Sequence, residues 1–284
     1  MSRGIFVPHQ KAENKLLDGF CYVFKNDLYL SSSMDAGKYL KRIRFNGEAR
    51  PGISALIKIH RLHVFNVPFE NLDIHEKKEI ILDPEKLYRK IVGKNRGGFC
   101  YELNGLFFSL LKELGFNCNM VSARVYNEEG DPGPEFDHMA IIVRLDNQDW
   151  LADVGFGDSF IEPLKLELNL EQRQYGKTYR IVDNGGGSLE LHRSIDGKEF
   201  EKQYMFTLKE RALSDFNDMC LYHQTSPDSH FTRKRVCTIA REDGMVTLSG
   251  MKLIENTHDV KREIELKDEE EFDNILREYF GIQV

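Results

Sequence analysis

One switch of periodicity constrains this chain more than any other feature. Up to Leu114 the apolar residues recur at helical spacing; after Phe116 they come in short runs separated by turn residues, as strands do. The clearest helix carries Leu103, Leu106, Phe107, Leu110, Leu111 and Leu114 on one stripe, with Gly115 as its C-terminal stop. Gly97-Gly98 precede it, so Cys100 falls at the helix start. Weaker helical patterns run through Tyr39, Leu40 and Ile43, and through residues 51–66 with Leu56, Ile57, His60 and Val64. A third opens at Pro84 and continues through Leu87, Tyr88 and Ile91, while Val67–Leu72 reads as a turn or loop.

The strand-like runs are Ser122–Tyr126, Met139–Leu145, Trp150–Phe156, Tyr179–Val182, Leu189–His192 and Gln203–Leu208. Turn residues such as Asp131-Pro132-Gly133 and Asn184-Gly185-Gly186-Gly187 separate them, which predicts an antiparallel barrel or curled sheet. Further strands at Val236–Ala240, Met245–Leu248 and Met251–Glu255 lead to a last helix with Phe272, Ile275, Leu276 and Tyr279. Helices, then strands, then a mixed unit make an α+β chain. The expected division is 34–118, 119–222 and 223–284. Residues 1–33, ending in Ser31-Ser32-Ser33, read as an N-terminal extension or leader.

The 284 residues include 41% hydrophobic and 30% charged side chains, enough for a packed core. A net charge of −7 argues against a nucleic-acid partner, although Arg233-Lys234-Arg235 stands out as a basic cluster. Cys21, Cys100, Cys118, Cys220 and Cys237 are odd in number and widely spaced, as in a reduced cytoplasmic protein rather than a disulfide scaffold. No apolar run approaches the ~18 residues of a membrane helix. Glu13, Lys15, Asp18 and Asp27 interrupt what would be a signal core. The expected location is cytoplasmic.

Cys100 is the candidate nucleophile. A helix N-terminus favours negative charge and so favours the reactive thiolate, and Gly97-Gly98 leave room for a substrate. A nucleophilic thiol needs a base and the base an orienter. His138 opens the apolar run Met139–Val143, and Asp153 sits in another apolar run, where an unpaired carboxylate is costly. With a two-residue turn at Asp146-Asn147 or at Asn147-Gln148, positions 138 and 153 are displaced from register by an even number. Both side chains then share one face of the hairpin. The residues alone fit an acyltransferase. They also fit a cysteine hydrolase with the same triad, a decayed non-catalytic scaffold, or a mononuclear metal site on Cys100, His138 and Asp153; no metal is expected.

Five motifs in order resemble the arylamine N-acetyltransferase family, of the bacterial type, over about residues 34–284. They are Val67-Pro68-Phe69-Glu70-Asn71-Leu72, then Arg96-Gly97-Gly98-Phe99-Cys100 with Glu102-Leu103-Asn104, then His138-Met139, then Asp153-Val154-Gly155-Phe156-Gly157, and last Gln224-Thr225-Ser226-Pro227-Asp228-Ser229. The resemblance implies a helical bundle, an antiparallel β-barrel and an α/β lid around a cysteine-protease-like core. It implies acetyl-CoA as donor substrate, with no permanently bound cofactor, and an aromatic amine, hydrazine or hydroxylamine as acceptor. An amide synthase of the same family is the variant reading. By the match, Cys100, His138 and Asp153 are catalytic, and Phe69, Val125 and Phe156 line the aromatic-substrate pocket. Gly155, Gly157, Thr225, Ser226 and Ser229 lie along the coenzyme path. Glu70 and Arg96 form a bracing ion pair, and Asn104 is a further support. No nucleic acid or membrane partner is implied. Residues 1–33 and the acidic loop Asn127–Phe136 depart from the family pattern.

Overall fold

The structure, a computed structural model, describes residues 34–257 and 260–283. The extension or leader read at residues 1–33 lies outside the described residues. The first described helix, α1 (Ala36–Arg42), is capped by the Asp35 side chain, which accepts from the Lys38 N–H at 3.0 Å. It is followed by α2 (Ile53–Asn66). The Val67–Leu72 segment is not a simple loop, because Phe69–Glu70 forms a short strand, β1, paired over long range with Thr238 and Cys237. Two residues carry no visible period, so only the partner reveals this strand. Next come α3 (Leu72–His75) and α4 (Pro84–Tyr88). The helix expected to run on through Ile91 widens instead into a π turn, Arg89–Gly93, which buries Ile91 and leaves Lys90 among carboxylates.

The best-marked helix is α5 (Cys100–Glu113), and its first residue is Cys100. The Glu102 carboxylate accepts from the Phe99 N–H at 3.1 Å and so satisfies one of the free donors at this end. Gly97 is required by close approach: a Cβ there would lie 2.0 Å from the Pro68 carbonyl oxygen.

Eight strands then build one antiparallel sheet: β2 (Asn117–Val125), β3 (His138–Leu145), β4 (Gln148–Ala152), β5 (Leu164–Lys165), β6 (Gln172–Gln174), β7 (Lys177–Gly185), β8 (Ser188–Ser194) and β9 (Glu201–Arg211). Their spatial order is β5-β4-β3-β2-β9-β8-β7-β6. The edges are tied by side chains. The Gln172 amide bonds both the N–H and the C=O of Lys165, and Gln174 accepts from the N–H groups of Ile161 and Glu162. The sheet is thereby a nearly closed barrel filled by Val121, Ala123, Ile142, Leu151, Tyr179, Leu191, Tyr204 and Phe206. The other face of β3, through Ile141 and Val143, packs on Leu103, Leu106 and Leu110 of α5. Burial on both faces explains why residues 139–143 are apolar without alternation.

The β3–β4 turn is Asp146-Asn147, both at positive φ (50° and 61°), with Leu145 opposite Gln148. The strand expected over Trp150–Phe156 ends at Ala152, because Asp153 leaves the ladder to bond with side chains instead.

Beyond a 3₁₀ turn at Leu213–Phe216 lie two short helices without a strong apolar stripe, α6 (Asn217–Thr225) and α7 (His230–Arg233). Strands β10 (Val236–Arg241), β11 (Gly244–Ser249), β12 (Lys252–Thr257) and β13 (Val260–Glu265) follow, and β1 completes their five-stranded sheet at one edge. Five of the six residues of β13 are exposed, so no alternation marks it in the sequence. The final helix, α8 (Glu269–Phe280), buries Phe272, Leu276 and Phe280 against Val246, Leu248 and Leu253. It stops at Gly281, which takes the left-handed conformation. Among the described residues no helix is long and apolar enough to cross a membrane, and no cluster of His, Cys, Asp and Glu could hold a metal ion.

Candidate active site

A cavity of about 430 Å³ opens where α5, the barrel and the five-stranded sheet meet. Cys100 reaches it from the start of α5 and His138 from the start of β3. His138 Nε2 bonds Asp153 Oδ2 at 2.7 Å, so the hairpin does place the two side chains together. That bond gives Nε2 the proton and leaves Nδ1 as the nitrogen free to take one.

Asp153 is fully enclosed, and its four contacts fill the carboxylate. Oδ2 accepts from His138 and from the Tyr204 hydroxyl (3.1 Å); Oδ1 accepts from Asn104 Nδ2 (2.8 Å) and the Gly155 N–H (3.0 Å). Burial works to raise this carboxyl, but the His138 imidazole and these hydrogen bonds outweigh it and hold Asp153 below its ordinary value. Asn104 also donates to the Met139 carbonyl and accepts from the Val154 N–H, fastening α5 to both sides of the hairpin. Beneath Asp153, His60 Nε2 accepts from the Asp153 N–H at 3.0 Å while Nδ1 bonds the Ile161 carbonyl at 2.8 Å. Burial pushes His60 down to about 4, so it serves as a neutral hydrogen-bonding ring.

The thiol differs from the sequence expectation. Burial is the largest influence on Cys100 and pushes it well above the ordinary thiol value; Cys220, Asp137 and Asp153 add to this, and the Tyr101 N–H works against it. The helix start alone does not ionise this cysteine, because desolvation of a buried thiolate outweighs one peptide donor. Cys100 shares the cavity wall with His138.

Phe69, Val125 and Phe156 all line the cavity, as do Gly155 and Gly157. Phe156 meets His138 edge-on at 5.0 Å. Gly155 has a packing reason as well, since a Cβ there would lie 2.9 Å from the Cys100 Cα. Thr225, Ser226 and Ser229 are not brought to the cavity wall. Thr225 donates to the Leu221 carbonyl, Ser226 ends α6, and Ser229 caps α7 while bonding His223. Glu70 and Arg96 do pair, at 2.9 Å, but not as a surface bridge: with Asp73, Lys90 and Glu102 they form a buried web under the start of α5.

Three residues of the site escape sequence reasoning. His60 looks like one more member of a helical stripe, and Tyr204 like one more inward residue of a strand. Asp137 borders the cavity beside His138, and its only signal is that adjacency.

A family model described as N-acetyltransferase matches residues 52–284. A pineal-gland arylamine N-acetyltransferase isozyme of Gallus gallus is 34% identical over 88% of this chain and 94% of its own length. Arylamine N-acetyltransferase 1 of Homo sapiens is 30% identical over 88% of this chain and 95% of its own. Among solved structures, the arylamine N-acetyltransferase of Mycobacterium smegmatis superposes with a TM-score of 0.82 at 30% identity, covering 88% of this chain and 93% of that one. That of Mycobacterium marinum in complex with CoA gives 0.81 at 29% identity, covering 87% and 93%.

Proposed function

The chain belongs to the arylamine N-acetyltransferase family, and from that membership we propose how its own residues move an acetyl group from acetyl-CoA to the nitrogen of an arylamine, arylhydrazine or arylhydroxylamine. The observation that carries the reading is the His138–Asp153 bond of 2.7 Å, with His138 and Cys100 in one cavity wall.

His138 Nδ1 takes the thiol proton, and the Cys100 sulfur attacks the thioester carbonyl. CoA leaves as its thiol with a proton returned through His138, and the acetyl group stays on Cys100. The amine nitrogen then attacks that thioester and loses its proton to His138, and the Cys100 thiol is regenerated. Asp153 holds the imidazole tautomer and balances the imidazolium formed in each half. Backbone N–H groups at the start of α5 stabilise the oxyanion. Proton transfer through His138 contributes about 10²–10⁴ in rate. Phe69, Val125 and Phe156 seat the aromatic acceptor, and Gly155 and Gly157 admit the acyl end of the donor. Thr225, Ser226 and Ser229, outside the cavity wall, lie along the path of the rest of the coenzyme. The division at 34–118, 119–222 and 223–284 gives the thiol to the helical part and the base to the barrel, with the last part closing the cavity through Thr238, Met245 and Thr247.

Intact-mass spectrometry after incubation with acetyl-CoA tests the covalent step. The wild type gains one acetyl group, Cys100→Ala gains none, and added arylamine strips the group from the wild type. An unmodified wild type would sink the mechanism.

A further inference from the structure

The charged side chains lining the cavity are all acidic: Asp137 and Asp158, with no lysine or arginine among them. The two differ in their surroundings. Asp158 is paired with Lys177 and Arg193, which neutralise it. Asp137 has no lysine or arginine partner among the described residues; its ion-pair contact is with a histidine, His223, whose Nε2 lies 3.1 Å from Oδ1. Of the basic side chains that contact the preceding loop, Arg211 is taken by Glu135 and Arg124 bonds the Gly133 carbonyl. The second histidine of that wall, His230, is depressed by burial and so stays neutral at pH 7. Asp137 is also fixed in place, because the Tyr101 hydroxyl bonds the carbonyls of both Phe136 (2.7 Å) and Asp137 (3.1 Å).

We propose that Asp137 sets a charge preference on the acceptor: arylamines bearing a second, cationic group are favoured, and arylamines bearing a carboxylate are disfavoured. A fixed carboxylate in a largely apolar cavity is weakly screened, so a cation placed near it gains and an anion loses. The same wall carries the aromatic rings of Phe69, Phe156 and Phe231, the side-chain type that attracts a quaternary ammonium. Asp137 also raises the Cys100 thiol, but that influence is common to every acceptor, so the ratio between acceptors isolates its effect on selection among amines. The inference rests on the acetyl-transfer reading above.

Three acceptors of nearly one shape provide the test: 4-aminophenyl compounds with a two-carbon arm ending in trimethylammonium, in tert-butyl, or in carboxylate. The measured quantity is kcat/KM for each with acetyl-CoA. The wild type favours the ammonium over the tert-butyl acceptor by about tenfold and ranks the carboxylate last. Asp137→Asn brings the ammonium to tert-butyl ratio down about tenfold, and Asp137→Ser does the same should the first variant not fold. An unchanged ratio in a folded variant overturns the inference, and so does a wild type that uses the carboxylate as well as the tert-butyl acceptor. Those outcomes leave the transfer reading standing; that reading fails only if none of the three is acetylated and Cys100 takes up no acetyl group.

Discussion

Two buried polar networks meet at α5, and they are built on opposite plans. Around Asp153 a single carboxylate is surrounded by neutral donors: Asn104, Tyr204, the Gly155 N–H and the His138 ring. Around Arg96 the members are ionisable side chains of both signs: Glu70, Asp73 and Glu102 against Lys90 and Arg96. Asn104 and Glu102, two residues apart, anchor α5 in one network each. The first leaves a ring nitrogen and a thiol facing a cavity. The second lies outside the wall of that cavity and holds the backbone before Cys100. The difference teaches that the carboxylate behind the cavity is held by neutral hydrogen bonds, whereas the scaffold under the start of α5 is locked by groups of opposite sign that compensate one another.

The largest expected effect breaks the first network without changing its shape. Asp153→Asn keeps the volume but removes the charge that balances the imidazolium. Acetylation of Cys100, followed by rapid-quench mass spectrometry, should slow by about 10²–10⁴. A rate within a factor of ten of the wild type would mean that Asp153 only fills space.

The next effect falls on stability. Arg96→Met removes the guanidinium between Glu70 and Asp73 and leaves both acids to Lys90 alone. Removing one partner of a buried ion pair costs about 3–5 kcal/mol. Urea unfolding should show that loss as a lower midpoint with an unchanged slope. A loss below about 1 kcal/mol would place the web in the class of surface bridges.

The plan of the first network is more legible in the sequence than that of the second. Helix α5 is readable because six apolar residues repeat on one face, and the Cys100 position follows from the glycines before it. The pairing of His138 with Asp153 follows from the parity of a two-residue turn, since side-chain direction in a hairpin is a matter of counting. The charged web is not readable in this way. Its members come from β1, α3, the π turn, the segment before α5 and α5 itself, and only tertiary packing brings Lys90 to Glu102. His60 and Tyr204 escape for a related reason: each lies on a face that periodicity already assigns to the core, and periodicity cannot say which core residue spends its polar atom on Asp153. The segment Thr225–Ser229 shows the converse. Its hydroxyls suggest ligand contacts by motif, and local bonds to Leu221, Asp228 and the start of α7, which periodicity does not predict, hold them in place.

The smallest effect, and the sharpest test of the contrast, is in the pH dependence of stability. His60 is held at about 4, below its ordinary 6.5, so the unfolded chain binds its proton first as pH falls. Its contribution is therefore complete above about pH 6.5 and is lost on the way down to about pH 4. Glu102 is raised by burial to about 7 from 4.5, against the pull of Lys90, so the folded chain keeps its proton longer as pH rises. Its contribution is complete below about pH 4.5 and is lost on the way up to about pH 7. The two networks thus tilt the stability curve in opposite directions over nearly the same window. In urea unfolding at a series of pH values, His60→Gln should flatten the rising part and Glu102→Gln the falling part. Two variants that tilt the curve the same way would mean that the neutral and the charged network are not titrating as separate units, and that α5 couples them into one.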